Sequence, residues 1–172
     1  MVSWFLNNAP KAQERKEKMK TIEILLFEFD ELSESAKQKA LGSLAEINVN
    51  HDWWDCLYDD AKTIGVKIKS FDIYRGDIKI SLMTDADTVA RKIMSDHGKN
   101  TPTYILAETF ILTNRTEENQ EDLEAEFESA LGRKYLTLLQ REFDYLTSEE
   151  AVVESIKAYD YQFTADGKMY LA

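Results

Sequence analysis

The pattern of apolar and polar positions begins with a strand and two helices. The run over 21–29 is rich in β-forming residues and apolar on both faces, which predicts a strand near the middle of a sheet. Ser33 is a good N-cap, and the helical spacing after it predicts a helix over 34–47. A second helix is expected over 51–64, because Gly65 stands where a left-handed residue ends a helix.

Two strands and two further helices follow. The segments 66–74 and 77–83 place apolar residues on alternate positions and are predicted to form an antiparallel hairpin. Helices are predicted over 84–96 and 102–113. The second of these begins where Thr101, an N-cap residue, precedes a proline at the first helical position.

The last third of the chain is dominated by one long helical pattern. Apolar residues recur at helical spacing from a break at 114–116 as far as Leu146. Unbroken, this helix would be about 45 Å long, and Gly132 is where we expect a weak point. A capped helix over 148–158 and a terminal hairpin over 159–171 complete the pattern.

The order of elements excludes a parallel doubly wound fold, because no β-α-β repeat is present. We predict an α+β fold with a mostly antiparallel sheet of about five strands, helices packed on it, and one long helix in the C-terminal half. Residues 1–19 are polar and mixed in charge, and are interpreted as an N-terminal extension before a single domain over 20–172. That extension is either a short docking helix or the product of an upstream start codon.

Composition agrees with a globular domain of this size. The chain has 172 residues, of which 44% are hydrophobic and 11% aromatic. Its one cysteine, Cys56, excludes an internal disulfide and is expected to be a small core residue. No apolar run reaches the roughly 20 residues that cross a bilayer, and the N-terminal charges follow the apolar stretch, unlike those of a secretory signal. We therefore expect a cytoplasmic protein with no membrane partner.

The charge of the chain is −11 and is spread unevenly. The first twenty residues carry five basic and two acidic side chains, so the remainder is more acidic than the total. Such a field repels nucleic acid and anionic membranes and attracts basic proteins. The alternative is that acidity only keeps a small protein in solution.

One acidic run at the start of the long helix is the candidate partner-binding surface. It contains no basic residue. It either forms a solvated face, or occupies a groove built for nucleic-acid phosphate, or meets a basic partner. Acids at this end also suit the helix dipole. The run consists of Glu117, Glu118, Glu121, Asp122, Glu124, Glu126 and Glu128.

A second segment carries the only other candidate chemistry. On a helix, His51, Asp55 and Asp59 would share one face, able to bind a cation or to pair an acid with a base. Three ligands over two turns span more than about 10 Å, which favours a polar outer face instead. His97 is expected to interact with a helix dipole beside Gly98. We expect no catalytic residue, no metal and no cofactor, since no ligand spacing, phosphate-binding loop or nucleophile elbow is present.

A set of short motifs is spread over the chain from about residue 20 onward: Glu31-Leu-Ser33, Ala36-Lys37, Lys39-Ala40, Trp53-Trp54, Tyr58, Asp60-Ala61, Ile64-Gly65, Phe71-Asp72, His97-Gly98, Tyr145 to Ala151, Phe163-Thr164 and Asp166-Gly167. In these residues the chain resembles small proteins of bacteriophages and prophages, sometimes labelled as the antitoxin of a toxin–antitoxin stability system. The resemblance implies a phage-encoded accessory protein and carries over no catalytic residue.

Three hypotheses follow for function. The leading one is an accessory protein that binds and inhibits or modulates a host protein with a basic surface, such as a nuclease or another defence component. The first alternative is an antitoxin that neutralises a toxin by direct binding. The second alternative is an enzyme acting on a nucleotide or nucleic acid through His51 and the nearby aspartates.

Overall fold

A computed structural model describes residues 23–114, 116 and 118–170 of the chain. Within these ranges there are six α-helices, one short 3-10 helix and one sheet of two strands. The elements are, in chain order, a 3-10 helix (Phe29–Glu31), α1 (Glu34–Leu44), α2 (Asp55–Thr63), β1 (Val66–Asp72), β2 (Asp77–Leu82), α3 (Ala86–Asp96), α4 (Pro102–Leu112), α5 (Gln120–Leu146) and α6 (Glu149–Ala158).

Local capping determines where most helices begin. The side chains of Ser33, Thr101 and Ser148 each accept a hydrogen bond from a backbone N–H of the first turn that follows. At α3 the cap is Asp85, which accepts from the amide of Thr88. The capped starts of α1, α4 and α6 agree with the sequence prediction to within one residue.

The two strands form an antiparallel hairpin, as predicted. Val66 lies opposite Leu82, and an irregularity between Ile68 and Ser70 shifts the register. Val66 and Ile68 are buried, so the inner face of the hairpin belongs to the core.

The prediction of a mostly antiparallel sheet of about five strands is wrong. In the described residues only β1 and β2 form a ladder. The segment predicted as a central strand, 21–29, contributes a single bridge between Phe27 and Phe163, and the C-terminal hairpin contributes one between Phe163 and Met169. The part of the chain that the structure describes thus has six α-helices and one two-stranded antiparallel sheet.

Two local features explain why the first segment does not become a central strand. A 3-10 turn ends the extended stretch at Phe29, where the amide of Glu28 donates to the Glu31 carboxylate at 2.9 Å. Before that turn, Ile24 and Leu25 are exposed, the latter at 81%. In the sequence, these apolar side chains predict a strand that is buried on both faces, but in the fold they are exposed to solvent.

The long helix is continuous through Gly132. Its 27 residues correspond to about 40 Å. A Cβ at Gly132 would lie 3.4 Å from a methyl carbon of Ile78 and 3.6 Å from Ile80. The missing side chain lets α5 approach β2 closely, so the glycine predicted as a weak point is a packing position.

The buried side chains form two clusters. The central cluster comes from α2 to α5 and the hairpin, and consists of Ala61, Ile64, Val66, Ile68, Ala86, Val89, Ala90, Ile93, Ala107, Phe110, Phe127, Leu131 and Tyr135. The terminal cluster joins the two ends of the described chain and consists of Phe29, Leu32, Ala36, Ala40, Leu44, Val152, Ile156 and Phe163.

None of the helices in the described ranges is long and apolar enough to cross a bilayer. The predicted extension, 1–19, lies outside the described residues.

Candidate functional site

The acidic run lies at the start of α5, as expected from the sequence. Glu118 precedes the helix, and Glu121 and Asp122 occupy its first turn. Their side chains are exposed, as is that of Glu126. Glu117 lies outside the described residues.

The helix does not present this run as one surface. At about 100° per residue, Glu121, Glu124 and Glu128 form one row, and Asp122 and Glu126 form another. Glu124 and Glu128 are half-buried, and Glu124 accepts a hydrogen bond from Gln120 at 2.8 Å. The exposed carboxylates are therefore a subset of the predicted site.

The position of Glu128 separates it further from the other acids. It borders a groove between α5 and the hairpin, together with Lys69, Lys79 and Arg133. Asp77 also borders the groove, so its charges are mixed. The exposed acids Glu121 and Asp122 do not border it.

Sequence reasoning missed a polar network between α2, α5 and the end of α3. The Tyr135 hydroxyl donates to Asp60 Oδ2 at 2.7 Å. Asp60 Oδ1 lies 3.4 Å from His97 Nε2, and His97 Nδ1 shares a hydrogen bond of 2.8 Å with the buried Thr103 hydroxyl. Four residues from four parts of the chain thus meet at one point.

The protonation of this network follows from its contacts. The pKa of the Asp60 carboxyl is lowered, first by its interaction with His97 and then by the hydrogen bond from Tyr135, against an opposing effect of burial. The pKa of the Tyr135 hydroxyl is strongly raised, because burial disfavours the phenolate and its proton is held by Asp60. Asp60 therefore accepts as a carboxylate, and Tyr135 remains a donor.

His97 is the C-cap of α3, at the helix end where it is predicted to lie, and its side chain makes further contacts. It follows α3 directly, but its side chain turns inward and is only 11% exposed. Nε2 is buried, and its 3.4 Å separation from Asp60 leaves it without an aligned hydrogen-bond partner. The imidazole joins the end of α3 to α2 and α4 through Asp60 and Thr103; its interaction with the helix dipole stays a prediction.

A cavity of about 550 Å³ lies beside this network. Its walls come from α2, the 97–103 segment and one face of α5, and they are mostly apolar. The charged residues that line it are Asp60, Lys134 and Arg141. This is the place in the described chain where a cavity and a buried polar network coincide.

Cys56 borders the same cavity and is exposed, so its prediction as a core residue is wrong. Helix α2 begins at Asp55, which puts Cys56 in the first turn. The core-facing positions of this helix come later, at Ala61 and at Ile64 just after its end.

The predicted helical row of His51, Asp55 and Asp59 does not form. His51 precedes α2 by four residues, is exposed, and has its Nδ1 3.4 Å from the side chain of Asn50. Among the described residues, no group of three or more His, Cys, Asp and Glu side chains is placed to bind a metal ion.

Few features of the sequence indicate the cavity or the polar network beside it. Asp60 and Tyr135 are 75 positions apart, and no local pattern links them. The only available signal was the spacing of Lys134, Leu138 and Arg141, which places them on one face of a helix.

Comparisons with protein-family models, with curated proteins and with solved structures find no match to this chain.

Proposed function

We propose that this protein binds a basic protein partner through the exposed carboxylates at the start of α5. One observation carries the proposal: within the described residues, none of these acids forms an ion pair. The proposed contact residues are Glu118, Glu121, Asp122 and Glu126, and we call them the acidic surface.

Electrostatics support a protein partner. Several carboxylates over two helical turns, in a chain of charge −11, produce a negative potential that speeds encounter with a cationic surface. The same potential disfavours nucleic-acid phosphates and anionic lipid head groups. The half-buried Glu124 and Glu128 contribute to the field but present less surface for contact.

The identity of the partner is proposed from the resemblance to phage and prophage proteins. On that basis the partner is a protein of the bacterial host cytoplasm, and binding inhibits or modulates it. A basic host protein that handles nucleic acid, such as a defence nuclease, has the complementary surface.

The test uses a charge-removing variant and a matched control. Glu118→Gln, Glu121→Gln, Asp122→Asn and Glu126→Gln are combined in one chain. The control combines Glu46→Gln, Glu142→Gln, Asp144→Asn and Glu154→Gln, which are exposed acids elsewhere on the chain. Each immobilised protein is exposed to host-cell extract, and retained proteins are identified by mass spectrometry.

We expect a basic protein that the wild-type and control chains retain and the acidic-surface variant loses. Affinities are then measured with that protein purified, and binding should fall steeply towards 1 M salt, where the screening length is about 3 Å. Equal affinity of the two variants for the purified protein would contradict the proposal. A captured toxin in place of a host protein would identify the chain as an antitoxin.

A further inference from the structure

The cavity beside Asp60 differs in charge from the chain around it. Two basic residues border it, Lys134 half-buried and Arg141 exposed, in a chain of charge −11. They lie seven positions apart on α5, about 10 Å along the helix axis. Within the described residues neither forms an ion pair, so both cations are available to a ligand.

Among the residues that the structure describes, the one acid at the border of the cavity already has a hydrogen-bonding partner. The carboxylate of Asp60 accepts a hydrogen bond from Tyr135, and its Oδ1 lies 3.4 Å from His97 Nε2. The formal charges of Asp60, Lys134 and Arg141 at the border leave an excess of one positive charge. A ligand with one negative charge balances it.

The rest of the cavity wall is apolar and favours a ligand that carries an apolar group. Leu57, Pro102 and Leu138 line the cavity between the charged groups. A volume of about 550 Å³ lies in the range typical of sites for small molecules. A chain or ring system enclosed there removes its apolar surface from water, which stabilises binding in proportion to the area covered.

We infer that this cavity binds a small organic monocarboxylate: an apolar group that carries one carboxylate. The carboxylate pairs with Arg141 or Lys134, and the apolar group lies against α2 and the start of α4. The planar guanidinium of Arg141 matches two carboxylate oxygens, which favours this anion over a compact inorganic one. The site lies on the second half of α5, and does not depend on the acidic surface at its start.

Octanoate is the probe, and octan-1-ol, with the same chain and no charge, is the comparison. Each is titrated into the ¹⁵N-labelled full chain and followed by NMR. We expect octanoate to shift amides of α2, 97–103 and α5 around Lys134 to Arg141, and octanol to bind at least tenfold more weakly. That ratio corresponds to one charge-assisted hydrogen bond.

Two variants with the same loss of charge distinguish the site from the overall field. Lys134→Gln with Arg141→Gln removes the cations of the cavity, and is expected to weaken octanoate binding by about tenfold or more. Arg91→Gln with Lys92→Gln removes two exposed cations on α3 and is expected to leave the affinity within about twofold.

A third variant fills the cavity without changing its charge. Thr137 is an exposed helix residue on its wall, so Thr137→Trp should abolish binding while the chain stays folded by circular dichroism. The inference is overturned if octanol binds as well as octanoate, if both charge variants lose affinity equally, or if Thr137→Trp leaves binding intact. It is also overturned if octanoate produces no shifts around the cavity.

Discussion

At the scale of single residues, the contact between Tyr135 and Asp60 shows how burial determines which of two groups keeps its proton. The Tyr135 side chain is fully buried, and its hydroxyl has a carboxylate 2.7 Å away. A buried hydroxyl without a partner would cost about 1–3 kcal/mol. Asp60 supplies the partner while remaining partly open to solvent, which lets it stay ionised.

The lowered pKa of Asp60 predicts a dependence of stability on pH. The ionised carboxylate stabilises the folded state at pH values above 3.8, the ordinary value, and this contribution is lost as the pH falls through the lower folded-state pKa. The difference in unfolding free energy between wild type and Asp60→Asn should therefore be largest near neutral pH and shrink below about pH 4.

Denaturant titrations between pH 7 and pH 3 measure this difference. Asp59→Asn is the control, because it removes an exposed carboxylate from the same helix. The lowered pKa of Asp30, Asp85 and Asp166 affects wild type and both variants alike. A difference for Asp60→Asn that stays constant down to pH 3 would contradict the assignment.

At the scale of elements, the helices and the β1–β2 hairpin were predictable, but the pairing of the other apolar segments was not. The starts of α1, α4 and α6 depend on Ser33, Thr101 and Ser148, which act within one turn and are visible in the sequence. A strand needs a partner from elsewhere in the chain. For the apolar run before Phe29 that partner is a single residue, Phe163, and no local pattern indicates so short a pairing.

The candidate site was hidden for the same reason. His97 and Thr103 are six positions apart, but Asp60 and Tyr135 reach them from α2 and α5. Only the packing of four segments brings them together. The acidic positions on α5 were predictable from the sequence, but which of them are exposed and which are half-buried depends on how α5 packs in the fold.

The close approach of α5 to β2 leads to a prediction at Gly132. Alanine in an exposed helix interior gains up to about 1 kcal/mol over glycine, and Gly42→Ala on α1, with nothing within 4 Å of its Cβ, should show that gain. At Gly132 the added Cβ meets Ile78 at 3.4 Å, an ordinary contact. Gly132→Ala should therefore be neutral or stabilising, by no more than Gly42→Ala.

A larger side chain at the same position tests the contact directly. Gly132→Val forces branches into the space of Ile78 and Ile80, and is expected to cost about 1–3 kcal/mol through overpacking. Thermal and denaturant unfolding measure these changes. A valine tolerated as well as alanine would show that α5 and β2 are farther apart than described.

At the scale of the whole molecule, the terminal cluster is held by a turn at the end of the chain. Gly167 has a φ of +84°, and a Cβ there would overlap the carbonyl oxygen of Ala36 in α1. Gly76 has a similar φ of +71° with nothing near its Cβ. The two glycines share the conformational requirement, and only Gly167 adds a packing requirement.

Gly76→Ala should cost about 1–2 kcal/mol from the left-handed backbone alone, and Gly167→Ala should cost more. Hydrogen exchange locates the additional loss of stability in Gly167→Ala. Faster exchange is expected in α1 and α6, and little change in α3 and α4. Equal destabilisation by the two substitutions would mean that a Cβ at position 167 makes no steric clash with α1. Uniform acceleration would mean that the two clusters unfold together.

The joining of distant segments in the terminal cluster also bears on how the chain folds as it is made. Phe29, Leu32 and Leu44 leave the ribosome early, but Val152, Ile156 and Phe163, their packing partners, are synthesised more than a hundred positions later. At 5–20 residues per second, that delay is roughly 5–25 s. The central cluster has all its residues before then. Until translation reaches these partners, the apolar face of α1 lacks the side chains that cover it in the folded chain, and this interval is when chaperones would be needed most.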